Sequence, residues 1–138
     1  MDAVGFIGLG TIGAVAAKHI QQAGYPLMVR DLFPQAIQPL IEGGAHAGGL
    51  PAEIARNCRV VFTSLPGPRE VEEVSLGPGG LFEGLHDATV YVDLSSSSPV
   101  LIRRIAAEFG PSGAQVMDTP LIVGKNGAAG ITVRSKSI

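Results

Sequence analysis

Short runs of branched and aromatic residues alternate along this chain with longer segments whose apolar positions recur at helical spacing. Val4–Ile7 reads as a first strand and Ile12 to about Ala23 as a helix ending at Gly24. Leu27–Asp31 is a second strand, and Gln35–Glu42 a helix with Pro34 in its first turn and Gly43-Gly44 as its stop. Ala45–Ala47 is a weak third strand, Pro51–Asn57 a short helix, and Arg59–Ser64 (RVVFTS) a clear fourth strand. Arg69–Val74 follows Pro66-Gly67-Pro68 as a helix, and Gly77–Gly84 is a glycine-rich loop. Thr89–Leu94 (TVYVDL), Gln115–Asp118 and Ile131–Arg134 are the remaining predicted strands. Strands and helices in strict alternation predict a parallel sheet covered by helices.

The helix after the fifth strand carries the fullest set of signals. Ser98 is placed to cap it, Pro99 fits its first position and Gly110 stops it. Leu101, Ile102, Ile105 and Phe109 lie on one stripe, which is a core face.

Where the first strand meets the first helix stands Gly8-Leu9-Gly10-Thr11-Ile12-Gly13, a G-x-G-x-x-G pattern. In this context the first glycine permits a tight turn, and the second lets backbone approach a pyrophosphate. The third lets helix pack closely on strand. Helix N-termini offer unpaired N–H groups and a dipole that favours negative charge there. Nineteen glycines in the chain make the pattern weak by itself. Asp31 strengthens it, because a carboxylate at the end of the next strand is placed to accept hydrogen bonds from adenosine ribose hydroxyls. The same carboxylate repels a 2′-phosphate, and Leu32-Phe33-Pro34 offers no cation to offset that. Arg30 precedes Asp31, and strand alternation sends it to the opposite face. This favours NAD over NADP. The alternative for Asp31 is a helix cap beside a turn. The expected fold is α/β, Rossmann-type and doubly wound, with a mainly parallel sheet and helices on both faces.

Composition narrows the partners. At 138 residues and 46% hydrophobic, the chain (1–138) makes one ordinary domain with a real core. A net charge of −2 argues against a nucleic-acid partner, and Arg103-Arg104 reads as a solvated helix face. The single cysteine, Cys58, excludes an internal disulfide and suits a reducing, cytoplasmic setting. His19, His46 and His86 have no metal-ligand spacing, so no metal is expected. The uncharged stretch Ala3–Ala17 follows an acidic Met1-Asp2 and is broken by four glycines, which fits neither a signal peptide nor a membrane helix.

Four segments together resemble the 3-hydroxyisobutyrate dehydrogenase family of β-hydroxyacid dehydrogenases, relatives of 6-phosphogluconate dehydrogenase. Gly5-Phe6-Ile7-Gly8-Leu9-Gly10-Thr11-Ile12-Gly13 is similar to the family's opening G-x-I-G-L-G-x-M-G. Arg30-Asp31-Leu32-Phe33-Pro34 looks like the ribose-binding corner of its NAD-dependent members. Thr63-Ser64-Leu65-Pro66 is like the M-L-P stretch that borders the coenzyme, which brings in Leu65 and Pro66. Asp93-Leu94-Ser95-Ser96-Ser97-Ser98-Pro99 is similar to D-x-S-T-x-x-P, with Ser96 in place of Thr. Ser95 and Ser96, beyond the carboxyl end of a strand, are placed to meet a nicotinamide ribose or the substrate. The alternative is that these serines only cap the next helix.

The resemblance implies the coenzyme domain of an oxidoreductase. It would transfer hydride between a nicotinamide cofactor and a small 3-hydroxy acid or its semialdehyde. Two departures bear on that. Where the family has D-A-P-V-S-G-G to hold a substrate carboxylate, this chain has Asp118-Thr119-Pro120-Leu121-Ile122-Val123-Gly124. Ile122 and Val123 donate no side-chain hydrogen bonds, so the substrate differs or carboxylate binding at Ile122, Val123 and Gly124 is lost. The family's catalytic lysine lies on a helix beyond the coenzyme domain, and none of Lys18, Lys125 and Lys136 matches its motif. No catalytic residue is therefore assigned within the chain. A truncated reading frame or an isolated domain is expected, inactive alone, lacking the helical domain and prone to self-association. A non-catalytic NAD-binding module and the coenzyme domain of an imine-reductase-like relative are the competing readings.

Overall fold

The structure, a computed structural model, describes residues 2–95 and 98–119, and the strand backbones at 121–124, 127–133 and 136–137. The elements run β1 (Val4–Ile7), α1 (Thr11–Gln22), β2 (Leu27–Arg30), α2 (Pro34–Glu42), β3 (His46–Ala47), α3 (Pro51–Asn57) and β4 (Val60–Thr63). They continue with α4 (Pro68–Leu76), β5 (Val90–Asp93), α5 (Pro99–Phe109), β6 (Gln115–Asp118), β7 (Leu121–Gly124), β8 (Gly127–Val133) and β9 (Lys136–Ser137). Strands pair in the order β3-β2-β1-β4-β5-β6-β9; the first six are parallel, and β9 joins β6 antiparallel. The strand order reverses between β1 and β4. There the connections leave in opposite directions and open a crevice outside the strands' carboxyl ends.

Register sorts the side chains between two faces. Ile7, Thr63, Asp93 and Asp118 are level with one another across β1, β4, β5 and β6. Ile7, Val61, Tyr91 and Val116 point to one side, where α3, α4 and α5 deliver Ile54, Val71, Ile102 and Phe109. Phe6, Val29 and Val92 point to the other, against Ala17 of α1 and Leu40 of α2. Tyr91 and Phe109 pack as tilted rings with centroids 5.8 Å apart. Large apolar side chains buried this fully contribute about 1.5–3 kcal/mol each. The α5 stripe read from the sequence is that core: Leu101, Ile102, Ile105 and Phe109 are all buried. Ser98 caps the helix by accepting from the Leu101 amide.

Several segments differ from the sequence expectation, among them β7 (Leu121–Gly124) and β9 (Lys136–Ser137), which the sequence pattern does not predict. Within the predicted loop Gly77–Gly84, Leu81–Gly84 winds into a 3-10 turn, because Leu81 is buried in the α-helical face of the core. The last predicted strand, Ile131–Arg134, does not stand alone. Gly127–Val133 is β8, which pairs antiparallel with β7 in a separate two-stranded sheet. Branched residues on both sides of Asn126-Gly127 were the available hairpin signal.

Candidate functional site

The turn from β1 into α1 is held at several points. Gly8 donates its amide to the Arg30 carbonyl (3.0 Å), and the Ser64 amide bonds the Ile7 carbonyl (2.9 Å). Gly8 has φ +95°, and a side chain there would strike the Ser64 carbonyl and Leu65. Gly13 is packed as tightly, since a Cβ would meet the Gly8 carbonyl oxygen and lie 3.2 Å from Ser64 Cβ. Gly10 is the opposite case. It is exposed, it caps α1 in extended conformation, and a Cβ on it would meet nothing within 4 Å. Among the described residues, the space above Gly10 is unfilled. α1 has, among the described residues, no side-chain cap and no acidic residue in its first turn, which leaves its N-terminal N–H groups without a side-chain partner.

Asp31 closes the other side. Its Oδ2 accepts the Leu9 amide at 2.7 Å, and its Oδ1 accepts the Phe33 amide at 2.9 Å. The carboxylate therefore joins the end of β2 to the glycine turn. It does not cap α2, whose N-cap is Phe33 without any side-chain bond. A carboxylate offers about four acceptor positions, so this half-buried group keeps capacity for further donors. Arg30 turns away, as alternation requires, and its guanidinium donates to the Gly49 carbonyl. Leu32 and Phe33, 85% and 61% exposed, form an apolar shelf next to Asp31.

Across the crevice, the Leu65 amide donates to Ser95 Oγ at 2.8 Å, and Pro66 is exposed beside it. Ser95 is buried and engaged by the chain itself, so the structure does not present it to the crevice. Ser96 lies outside the described residues. Ile122, Val123 and Gly124 are in β7, where Ile122 is opposite Thr132 and Val123 opposite Ile131; their side chains lie outside the described residues. Of the histidines, His19 and His46 are exposed, and His86 bonds the Cys58 carbonyl through Nε2 at 3.1 Å. Cys58 is buried, which pushes its thiol up to about 11.

Sequence reading missed what lies just beneath this edge. Asp93 and Thr63, level on adjacent strands, are both fully buried and hydrogen-bonded at 2.8 Å. Burial holds the Asp93 carboxyl above its usual 3.8, outweighing the hydrogen bonds from Ser95 and Thr63, and Asp118 adds to the rise. The available signal was a carboxylate ending an otherwise apolar strand.

An open parallel sheet, an open glycine turn at a helix N-terminus and a carboxylate at the end of β2 define a Rossmann-type dinucleotide-binding domain. Residues 3–133 match the family model described as the NAD binding domain of 6-phosphogluconate dehydrogenase, and the chain belongs to that family. Mitochondrial 3-hydroxyisobutyrate dehydrogenase of Mus musculus is 35% identical over 126 residues, which are 91% of this chain and 37% of the relative. The 3-sulfolactaldehyde reductase of Escherichia coli K12 is 33% identical over 132 residues, 96% of this chain and 44% of that protein. Among solved structures, 3-hydroxyisobutyrate dehydrogenase from Salmonella typhimurium superposes with a TM-score of 0.87 at 25% identity, covering 98% of this chain and 48% of the other. The complex of Psf3 with NADP+ and 2-OPP gives 0.88 at 28% identity, covering 98% and 49%. The chain thus spans less than half the length of these relatives. No helix among the described residues is long and apolar enough to cross a membrane.

Proposed function

We propose that this chain is the coenzyme-holding part of an oxidoreductase that transfers hydride between a nicotinamide dinucleotide and a small 3-hydroxy acid or its semialdehyde. The observation that carries the reading is the pairing of an open Gly10 with an Asp31 already oriented by the glycine turn. Gly8, Leu9, Gly10, Thr11, Ile12 and Gly13 would cradle the pyrophosphate through backbone N–H groups, in a space that a side chain at Gly10 would fill. Asp31 would accept the adenosine ribose hydroxyls. Leu65, Pro66 and Ser96 would border the nicotinamide half, and Ile122, Val123 and Gly124 the substrate. The bound coenzyme supplies hydride chemistry, and the protein's part is to bind and orient it.

NAD is the preferred form in this reading. Asp31 repels a 2′-phosphate, and the cation that precedes it in the chain, Arg30, is committed to the Gly49 carbonyl on the other side of the strand. The proton-transferring lysine implied by the family resemblance has no counterpart in Lys18, Lys125 or Lys136, so these residues bind coenzyme without turning it over. A buried thiol and no second cysteine suit a reducing, cytoplasmic setting. Ile122-Val123 also favours a second reading, a less polar substrate such as an imine; the solved imine reductase BcSIRED from Bacillus cereus superposes at a TM-score of 0.75 with 27% identity.

Paired fluorescence titration of the 138-residue chain with NADH and NADPH tests the proposal. Saturable NADH binding, weaker for NADPH, is expected. A folded chain that binds neither coenzyme would refute it.

A further inference from the structure

Below the crevice, four buried polar side chains form one connected line. Ser75 Oγ on α4 bonds the Tyr91 hydroxyl (3.4 Å), and that hydroxyl bonds Thr63 Oγ1 (2.7 Å). Thr63 Oγ1 donates to Asp93 Oδ1 (2.8 Å). A hydroxyl has a single proton. Since that of Thr63 goes to Asp93, Tyr91 must donate to Thr63 and Ser75 to Tyr91. The line therefore has one direction and ends on Asp93.

From Asp93 it continues into the two loops of the crevice. The Ser95 amide donates to the same Oδ1 at 3.1 Å, and Ser95 Oγ accepts the Leu65 amide at 2.8 Å. The loop after β4 then meets the glycine turn, where Leu65 Cδ2 lies 2.9 Å from the place a Cβ of Gly8 would take. Ser75, Tyr91, Thr63 and Asp93 are all 0% exposed. Apolar side chains would fill this volume without needing partners, but only directional bonds fix the angle of a loop.

Topology says which part of the ligand these loops meet. Asp31 follows β2, the glycine turn follows β1, and Leu65 and Ser95 follow β4 and β5. With strands in the order β2-β1-β4-β5, an extended dinucleotide whose adenosine is at Asp31 and pyrophosphate at the turn carries its nicotinamide over β4 and β5.

We propose that Asp93 is a positioning residue of the coenzyme site: through Thr63 and Ser95 it sets the Leu65 loop and the Ser95 turn against which the nicotinamide half lies. It touches neither coenzyme nor substrate. The proposal rests on the coenzyme reading above.

The test is NADH titration of the 138-residue chain, with thermal melting of every variant. Thr63→Val removes the hydroxyl at nearly constant volume, and Thr63→Ser restores the hydroxyl while losing a methyl. Thr63→Val is expected to weaken NADH binding about tenfold, the effect of one lost buried hydrogen bond. Thr63→Ser should bind within about twofold of wild type even as its melting temperature falls, because its defect is packing alone. Ser95→Ala, which removes the acceptor for the Leu65 amide and the Ser95 hydroxyl beside Asp93, should weaken binding similarly, and it decides the matter if Thr63→Val does not fold. Wild-type binding with undiminished binding by the variants overturns the positioning role alone, as does a Thr63→Ser as weak as Thr63→Val. A folded wild-type chain that binds no NADH overturns the coenzyme reading and this proposal with it.

Discussion

Replacing Asp31 by Asn separates the two tasks given to this carboxylate. Asn is nearly the same size and keeps one acceptor oxygen, so it can satisfy either the Leu9 or the Phe33 amide but not both as the carboxylate does. Hydrogen bonds to a charged acceptor are worth about 1.5–3 kcal/mol against about 1 kcal/mol for neutral ones. The folded chain should therefore lose about 1–2 kcal/mol, a melting shift of a few degrees. The coenzyme effect is larger. Losing the charged acceptor for the ribose hydroxyls should weaken NADH by about 10- to 100-fold. NADPH behaves differently, because the wild-type carboxylate opposes a 2′-phosphate of nearly two negative charges. At about 4 Å, each pair of unit charges in water costs about 1 kcal/mol, a fitting dielectric for a half-exposed group. Relief of about 2 kcal/mol should move the ratio of NADPH to NADH dissociation constants by about 30-fold or more toward NADPH. Parallel fluorescence titrations at one fixed ionic strength measure that ratio. If both constants rise by the same factor, Asp31 only braces the glycine turn and does not read the ribose.

Gly10→Ala should fold with wild-type stability to within about 1 kcal/mol, because its φ of −63° suits alanine and no described residue lies within 4 Å of the added Cβ, yet lose NADH affinity by about tenfold or more. Gly13→Ala should instead cost about 1–3 kcal/mol of stability through overlap with the Gly8 carbonyl, read by urea unfolding. Asp93 binds its proton more tightly folded than unfolded, so its contribution is whole below 3.8 and declines as pH rises through the folded value. Asp93→Asn cannot ionise and should gain in stability relative to wild type as pH rises above 3.8; a pH-independent difference would count against buried ionisation. Cys58, with its thiol at about 11, should be about one part in a thousand thiolate at pH 8, and alkylation should accelerate only on unfolding.

Much of the architecture was legible because the short apolar strands, and the prolines and glycines that start and stop the helices, carry local signals. The α5 stripe with Ser98 and Pro99 at its start is set by residue periodicity and backbone geometry alone. The glycine turn and Asp31 were legible for a related reason: both sit at fixed offsets from the ends of strands, where the parallel sheet brings them together. The residues that only the tertiary structure could bring out depend on register between distant segments. That Thr63 and Asp93 share a hydrogen bond follows from β4 and β5 lying level, thirty residues apart in the chain. TVYVDL marks its Asp as the odd polar residue of an apolar strand, but only the pairing with β4 buries it beside Thr63. Ser95 looked like a ligand-facing hydroxyl in sequence, and the fold turned it inward because the Leu65 amide needed an acceptor. Composition and periodicity determined which elements form and where the glycine turn stands. Long-range pairing decided which polar groups are left to face the crevice, because a buried donor or acceptor takes its partner from whatever strand the sheet places beside it.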